Sequence, residues 1–215
     1  LATYENENMD TLFKKRLRMN KTFRIRDVET EFDKQKELLN NYPILNMDEE
    51  KEITMPNLYV LDWKKRYNKV ALGIINDPKK ITDVCKNFID GIFWTYNYYF
   101  KGCCSWTWYY KYHHAPTLYD LTEYFKSVKN INSIKMNLEE PVKEEVQLMT
   151  ILPSQSKKLL PFKFWKYMTC NHPVTGHLYP KNYKLDTLFK RYYWQCTPIL
   201  PNIDLKLIKK IVDKN

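Results

Sequence analysis

The sequence predicts a mainly α fold, and three observations predict it. Apolar residues recur at three- and four-residue spacing, alternating strand-like runs are scarce, and the strongest local signals are helix starts and stops. With 215 residues and 44% hydrophobic content, the chain can bury one substantial core or a core with an appendage. Aromatic content of 15% and only 4 glycines separate it from disordered chains. No internal repeat is present.

The elements follow in chain order. Residues 1–57 are highly charged and carry little apolar signal. Within them, Asp27 to Asn40 reads as a short helix with Val28, Phe32, Leu38 and Leu39 on one side. Tyr42 to Pro56 holds Asp48-Glu49-Glu50-Lys51-Glu52 between two prolines and reads as an exposed linker. This third is expected to be a charged peripheral helix and linker, and residues 58–215 the main domain. Tyr59 to Leu72 is predicted helical, ending at Gly73. Asp77-Pro78 is a helix start, because aspartate can cap free amides and proline fits the first helical position. Ile81, Val84, Cys85, Phe88, Ile92, Tyr96 and Tyr99 then keep helical spacing for about six turns, and Lys101-Gly102 ends that helix.

Thr117 to Lys129 predicts another helix with Leu118, Leu121, Tyr124, Phe125 and Val128 inward. Asn130 to Pro141 is polar and reads as a mobile loop. Glu144 to Leu152 is a short helix closed by Pro153, and Ser154 to Lys158 a turn. Leu159 to Met168 is a further apolar segment. A proline-punctuated stretch holding Pro173 and Pro180 leads to a last helix from about Asn202 to Val212.

Composition narrows the function. The formal charge of +10 and a pI near 9.2 suit an anionic partner such as nucleic acid. The lysines are spread out, so a plainly solvated surface in a chain of AT-rich composition fits the same numbers. Five cysteines with no CxxC pair, and no secretory signal, favour free thiols in a reducing compartment such as the cytoplasm. No apolar run approaches the ~20 residues that span a bilayer. The chain begins at Leu1, as a processed product or a piece of a longer protein would.

Between Phe88 and His114 there are 12 aromatics in 27 residues, so this block sets the chain's character. One reading is packing, since tryptophan and tyrosine bury large areas and fix their polar tips. The other is that one or two rings face a channel and stack on bases, a contact that tolerates any sequence. His113-His114 beside Tyr112 reads as a hydrogen-bonded buttress. Cys170, His172 and His177 are poorly spaced for a metal, Cys103 and Cys104 carry no nucleophile signature, and no glycine-rich phosphate loop exists. Glu49-Glu50, Glu139-Glu140 and Glu144-Glu145 read as solvated faces.

The run Gly102-Cys103-Cys104-Ser105-Trp106-Thr107-Trp108-Tyr109-Tyr110-Lys111-Tyr112-His113-His114-Ala115-Pro116 resembles the second conserved region of the Xrn family of 5′→3′ exoribonucleases, whose pattern runs G-C-x-S-W-x-W-Y-Y-x-Y-H-Y-A-P. Phe88-Ile89-Asp90-Gly91-Ile92-Phe93-Trp94 to Phe100 is similar to the family's aromatic lead-in. Glu145-Val146-Gln147-Leu148-Met149 with Ile151-Leu152-Pro153, then Leu159-Leu160-Pro161, His172-Pro173 and Leu178-Tyr179-Pro180 follow in family order. Trp194 and Leu200-Pro201-Asn202-Ile203-Asp204 with Leu207 close the match, which covers about residues 58–215. Cys104 stands where proline is usual, His114 where tyrosine is, Tyr119 where a small residue is, and Asn202 interrupts the closing motif.

The resemblance implies the C-terminal part of a larger α/β nuclease core, here a helical domain with an aromatic-rich core and long loops. It implies part of a 5′→3′ exoribonuclease acting on single-stranded, 5′-monophosphorylated RNA with Mg²⁺ in the complete enzyme. Two-metal cleavage needs several carboxylates around ions about 4 Å apart. In the family these lie in the first conserved region, so an N-terminal catalytic half, in the same or another chain, is the implied partner and this chain alone is expected to be inactive. Trp106, Trp108, Tyr109, His113, Lys101, Lys111 and Arg191, with Lys181, are the residues expected to contact RNA. A non-catalytic structural or interaction protein, for example in a viral or other large assembly, is the alternative. The expected location of the chain is the cytoplasm, with the nucleus or a virion as the alternatives.

Overall fold

The computed structural model describes residues 1–18, 30–41, 44, 48–54, 62–128, 136 and 138–215. The described residues are mainly helical, as expected, and form two compact units. The first contains Leu1–Gly102, Tyr109–Met136 and Asp186–Thr197, and the second Cys103–Trp108, Asn137–Leu185 and Pro198–Asn215. The helices in chain order are α1 (Ala2–Arg18), α2 (Glu31–Asn41), α3 (Asp48–Thr54), α4 (Trp63–Leu72), α5 (Pro78–Phe100), α6 (Leu118–Ser127), α7 (Glu144–Ile151) and α8 (Leu205–Lys214). Strands β1 (Lys184–Asp186) and β2 (Thr197–Ile199) pair as a two-stranded sheet.

Local chemistry sets the helix ends in the first unit. Thr30 and Asp33 exchange hydrogen bonds at the start of α2, with Asp33 N donating to Thr30 Oγ1 at 3.1 Å. Asp62 caps α4, accepting from Lys65 N at 3.1 Å. Gly73 ends it with φ 67°, its amide reaching Lys69 O at 3.1 Å while Ile74 N reaches Asn68 O at 2.9 Å. That left-handed step costs glycine little and a residue with a Cβ more. Asp77 caps α5 through Lys80 N, with Pro78 in the first turn. Thr117 caps α6 by accepting from Asp120 N. The first two α6 amides, Leu118 N and Tyr119 N, donate to the Glu5 carboxylate from α1, each at 3.1 Å. The helix start is thereby satisfied from two directions.

The core of this unit gathers Ile53, Trp63 and Leu188, with Met9, Tyr67, Val70, Ala71 and Phe189 packed against them. This corrects the expectation of an exposed linker at 42–56. Asp48–Thr54 is helical, and Ile53 is fully buried. Buried Arg66 donates from Nε to Ile53 O at 3.0 Å, tying α4 to α3. One apolar side chain in a charge run suffices when a tryptophan and a leucine close over it. Residues 42–43, 45–47 and 55–56 of that segment, and residues 27–29 of the predicted first helix, lie outside the described residues. On α2 the expected apolar side is not buried: Phe32, Leu38 and Leu39 are all exposed.

Helix α5 runs as predicted, but only its first half is buried. Val84, Cys85 and Ile89 point into the unit, and burial pushes the Cys85 thiol up to about 12, helped by the nearby Asp120 carboxylate. Ile92, Tyr96 and Tyr99, which continue the same helical spacing, are exposed, as are Tyr98 and Phe100. None of the twelve rings between Phe88 and His114 is fully buried: six are half-buried and six are exposed. They lean on one another instead: Trp94 stacks on Tyr98 at 5.2 Å and Tyr96 meets Phe100 at 4.9 Å. In α6, Leu121, Tyr124 and Val128 are half-buried while Leu118 and Phe125 stay exposed.

The second unit has the larger core: Val146, Met149, Leu160, Phe164, Met168, Leu178, Tyr179, Ile208, Ile211 and Val212. Its helix α8 places Ile208, Ile211 and Val212 on one face, starting where Asp204 accepts from Lys206 N and Leu207 N. Between α7 and β1 the backbone runs in short, tight turns at Ser154–Leu159, Phe162–Met168 and Gly176–Leu178. Fully buried Thr175 donates from Oγ1 to Tyr167 O at 2.6 Å, and His172 Nδ1 accepts from Thr175 N at 3.2 Å. His172 is therefore used to brace a turn. The Met149 carbonyl has no amide four residues on, because Pro153 stands there. The buried Tyr179 hydroxyl donates to it at 2.5 Å.

Candidate nucleic-acid interface

The aromatic run from Gly102 to Pro116 divides between the two units, and each part has its own support. In the second unit, Ser105–Trp108 forms a tight turn whose amides need acceptors. Trp108 N donates to Ser105 Oγ at 3.0 Å. The other two amides, Trp106 N and Thr107 N, donate to one oxygen of Glu139, each at 3.0 Å. Ser105 Oγ and Thr107 Oγ1 donate to the same carboxylate at 2.8 Å, and Glu139 N returns a bond to Cys104 O at 3.0 Å. Trp106 stands exposed at 42% on this turn, while Trp108 is half-buried.

Glu139 is thus not the solvated loop residue expected from Asn130 to Pro141. Burial by itself would raise its carboxyl, but the hydrogen bonds from Ser105, Thr107 and Trp106 outweigh burial and hold it below the ordinary carboxylate range. No sequence signal of the polar 130–141 stretch marks it. The one available clue is the Ser105-Trp106-Thr107 triplet, whose amides and hydroxyls demand an acceptor that no neighbour supplies. Residues 130–135 and 137 of the predicted loop lie outside the described residues. Beside the turn, Thr107, Lys143, Lys206 and Lys209, the carboxylates of Glu139, Glu140, Asp204 and Asp213, and neighbouring apolar side chains line a groove of about 740 Å³.

In the first unit, Tyr109 and His113 are exposed, and Lys111 is an exposed side chain whose amide donates to Asn87 Oδ1 on α5 at 2.9 Å. Tyr110 donates to His114 O at 2.7 Å, and burial moves its hydroxyl upward. His114 Nε2 lies 3.2 Å from Asp186 Oδ1, both largely buried, so this ring acts as the buttress expected of the histidine pair. Tyr67 donates to Ala115 O at 2.8 Å, and its hydroxyl is pushed up to about 12, first by burial and then by Glu5 and Asp120. Lys101 sits at the end of α5, its ammonium 5.7 Å from the Tyr96 ring. Arg191 lies over Tyr192 at 5.3 Å, and Tyr192 stacks on Trp194 at 6.3 Å. Lys181, in the second unit, is exposed.

Among the described residues, no group of three or more His, Cys, Asp or Glu side chains comes together that could hold a metal ion. The acidic residues among those described do not fit a two-ion centre, and no step through Mg²⁺ follows from them. No helix of the described residues is long and apolar enough to cross a membrane, and no disulfide joins the cysteines among them.

A helical domain bearing an aromatic turn braced from a distant carboxylate is the class of protein these features define. A family model described as the Xrn1 helical domain matches residues 4–214. The chain belongs to that family. It is 37% identical to 5′-3′ exoribonuclease 2 of Schizosaccharomyces pombe over 158 residues, covering 73% of this chain and 15% of that protein. Similarity to 5′-3′ exoribonuclease 2 of Gallus gallus is 30% over 158 residues, 73% of this chain and 16% of that protein. For 5′-3′ exoribonuclease 1 of Schizosaccharomyces pombe it is 30% over 181 residues, 82% and 13% respectively. The chain therefore spans only about 15% of the length of such relatives.

Proposed function

We propose that this chain is the helical region of a 5′→3′ exoribonuclease that degrades single-stranded, 5′-monophosphorylated RNA. The observation that carries the reading is the Ser105–Trp108 turn: a tryptophan ring held out at 42% exposure on a hydrogen-bonded support, in a family of exoribonucleases. An exposed ring of this kind stacks on a base of any identity, which a processive nuclease requires. Tyr109 and His113 offer further rings, and Lys101, Lys111 and Arg191 offer cations for the phosphate path. The chain works in a reducing compartment, cytoplasmic or nuclear.

Cleavage itself belongs to residues outside those described here. Mg²⁺ held by carboxylates of an N-terminal half would supply the electrophile and the activated water; this chain binds and orients the strand. The exposed end of α5 from Tyr96 to Phe100 supports the existence of that half, because four neighbouring aromatic side chains in water are a face awaiting a partner.

Two measurements test the reading. Purified chain is mixed with a single-stranded RNA oligonucleotide, and Trp106→Ala and Trp108→Ala are expected to weaken binding more than they lower thermal stability. Addition of a carboxylate-bearing N-terminal half from a family member is expected to yield Mg²⁺-dependent degradation of 5′-monophosphorylated RNA. Robust degradation by this chain alone would refute the placement of the carboxylates elsewhere.

A further inference from the structure

We infer that Glu139 is a positioning residue for RNA, acting through the turn that holds out Trp106. The inference rests on the reading above that Trp106 meets the strand. Four groups converge on this carboxylate: two amides (Trp106 N and Thr107 N) and two hydroxyls (Ser105 Oγ and Thr107 Oγ1), all at 2.8–3.0 Å. Three successive residues of the turn are thereby tied to one atom pair that arrives from 32 to 34 residues later in the chain.

The geometry separates positioning from mere stability. The Glu139 oxygens touch the backbone of Trp106 and Thr107, while the Trp106 ring itself is exposed on the turn. Loss of the carboxylate leaves two amides and two hydroxyls aimed at an empty acceptor position, and the turn must open to hydrate them. The α7–α8 core does not include any of these atoms, so the unit stays folded while the ring loses its fixed direction. Stacking depends on that direction, because a base must meet the ring face to face. The bonds use chiefly the acceptor oxygen that faces both amides. A glutamine with its carbonyl in that place keeps the turn without the charge.

The test is single-stranded RNA binding by the full chain, with helix content and thermal stability followed in parallel. Trp106→Ala and Glu139→Ala are each expected to weaken binding on the order of tenfold, and the double variant is expected to be no weaker than Trp106→Ala. Glu139→Gln, which keeps a carbonyl acceptor in that place, is expected to restore affinity. If Glu139→Ala unfolds the second unit, Thr107→Val, which removes only one hydroxyl donor, replaces it in the same cycle. Full affinity in Glu139→Ala alongside a weakened Trp106→Ala overturns the inference and leaves the Trp106 reading standing. Additive losses in the double variant overturn it in the same way. An unchanged Trp106→Ala overturns the reading and the inference together.

Discussion

Replacing Tyr179 by phenylalanine isolates one hydrogen bond in the second unit. The ring is buried against Met149 and its neighbours, and phenylalanine keeps that packing. What disappears is the 2.5 Å bond from the hydroxyl to Met149 O. That carbonyl sits at the end of α7, where Pro153 offers no amide, so no backbone donor takes over. An orphaned buried carbonyl costs about 1–3 kcal/mol. For a chain of this length that shifts the melting temperature by roughly 2 to 12 °C. Urea unfolding monitored at the second unit, with the native and variant chains under identical conditions, gives the value directly. A difference below about 0.5 kcal/mol would refute the reasoning, because it would mean that water reaches the carbonyl. The same variant has a pH signature. Burial pushes the Tyr179 hydroxyl up to about 12, against 10.0 for a free tyrosine. A raised value favours the neutral form in the fold, so the contribution is complete below pH 10 and is lost as pH rises toward 12. Tyr179→Phe should therefore flatten the alkaline loss of stability, part of the remaining slope coming from Tyr67, Tyr110 and Cys85, which are raised by burial as well.

Three further outcomes follow from the packing. Ile53→Ala removes a fully buried side chain from the first unit's core and should cost about 2–5 kcal/mol in chemical denaturation; an exposed-linker site would lose almost nothing. Thr117→Ala deletes the cap of α6 and should cost about 1 kcal/mol, seen as faster amide exchange at Asp120. Gly176→Ala sets a new Cβ against the Cys170 carbonyl oxygen, a backbone atom that cannot swing aside, and should destabilise the second unit by about 1–3 kcal/mol in the same assay.

Local chemistry was readable in the sequence. Asp77-Pro78 marked the start of α5, Gly73 the end of α4 and Asp204 lies at the start of α8, because caps act within one turn of the chain. Burial was less readable, since it depends on what arrives from elsewhere. Ile53 looks isolated among acids until Trp63 and Leu188 close on it. Conversely, Ile92, Tyr96 and Tyr99 repeat with helical spacing, yet spacing says only that the residues share a side, not that anything covers it. The tryptophan turn was identifiable by its residue types. Its support was not, because Glu139 lies in a polar stretch with no period, and only the fold reveals that a carboxylate fills the place between Ser105 and Thr107.

The Glu5 carboxylate at the start of α6 links residues 113 and 114 positions apart. Synthesis at 5–20 residues per second leaves roughly 6 to 23 s between the emergence of α1 and that of the amides it caps. During that interval α1 has no α6 to pack on, and its acidic side chain has only water for company. Final docking of the first unit thus waits for α6 to be synthesised, and until then α1 is open to chaperones and proteases.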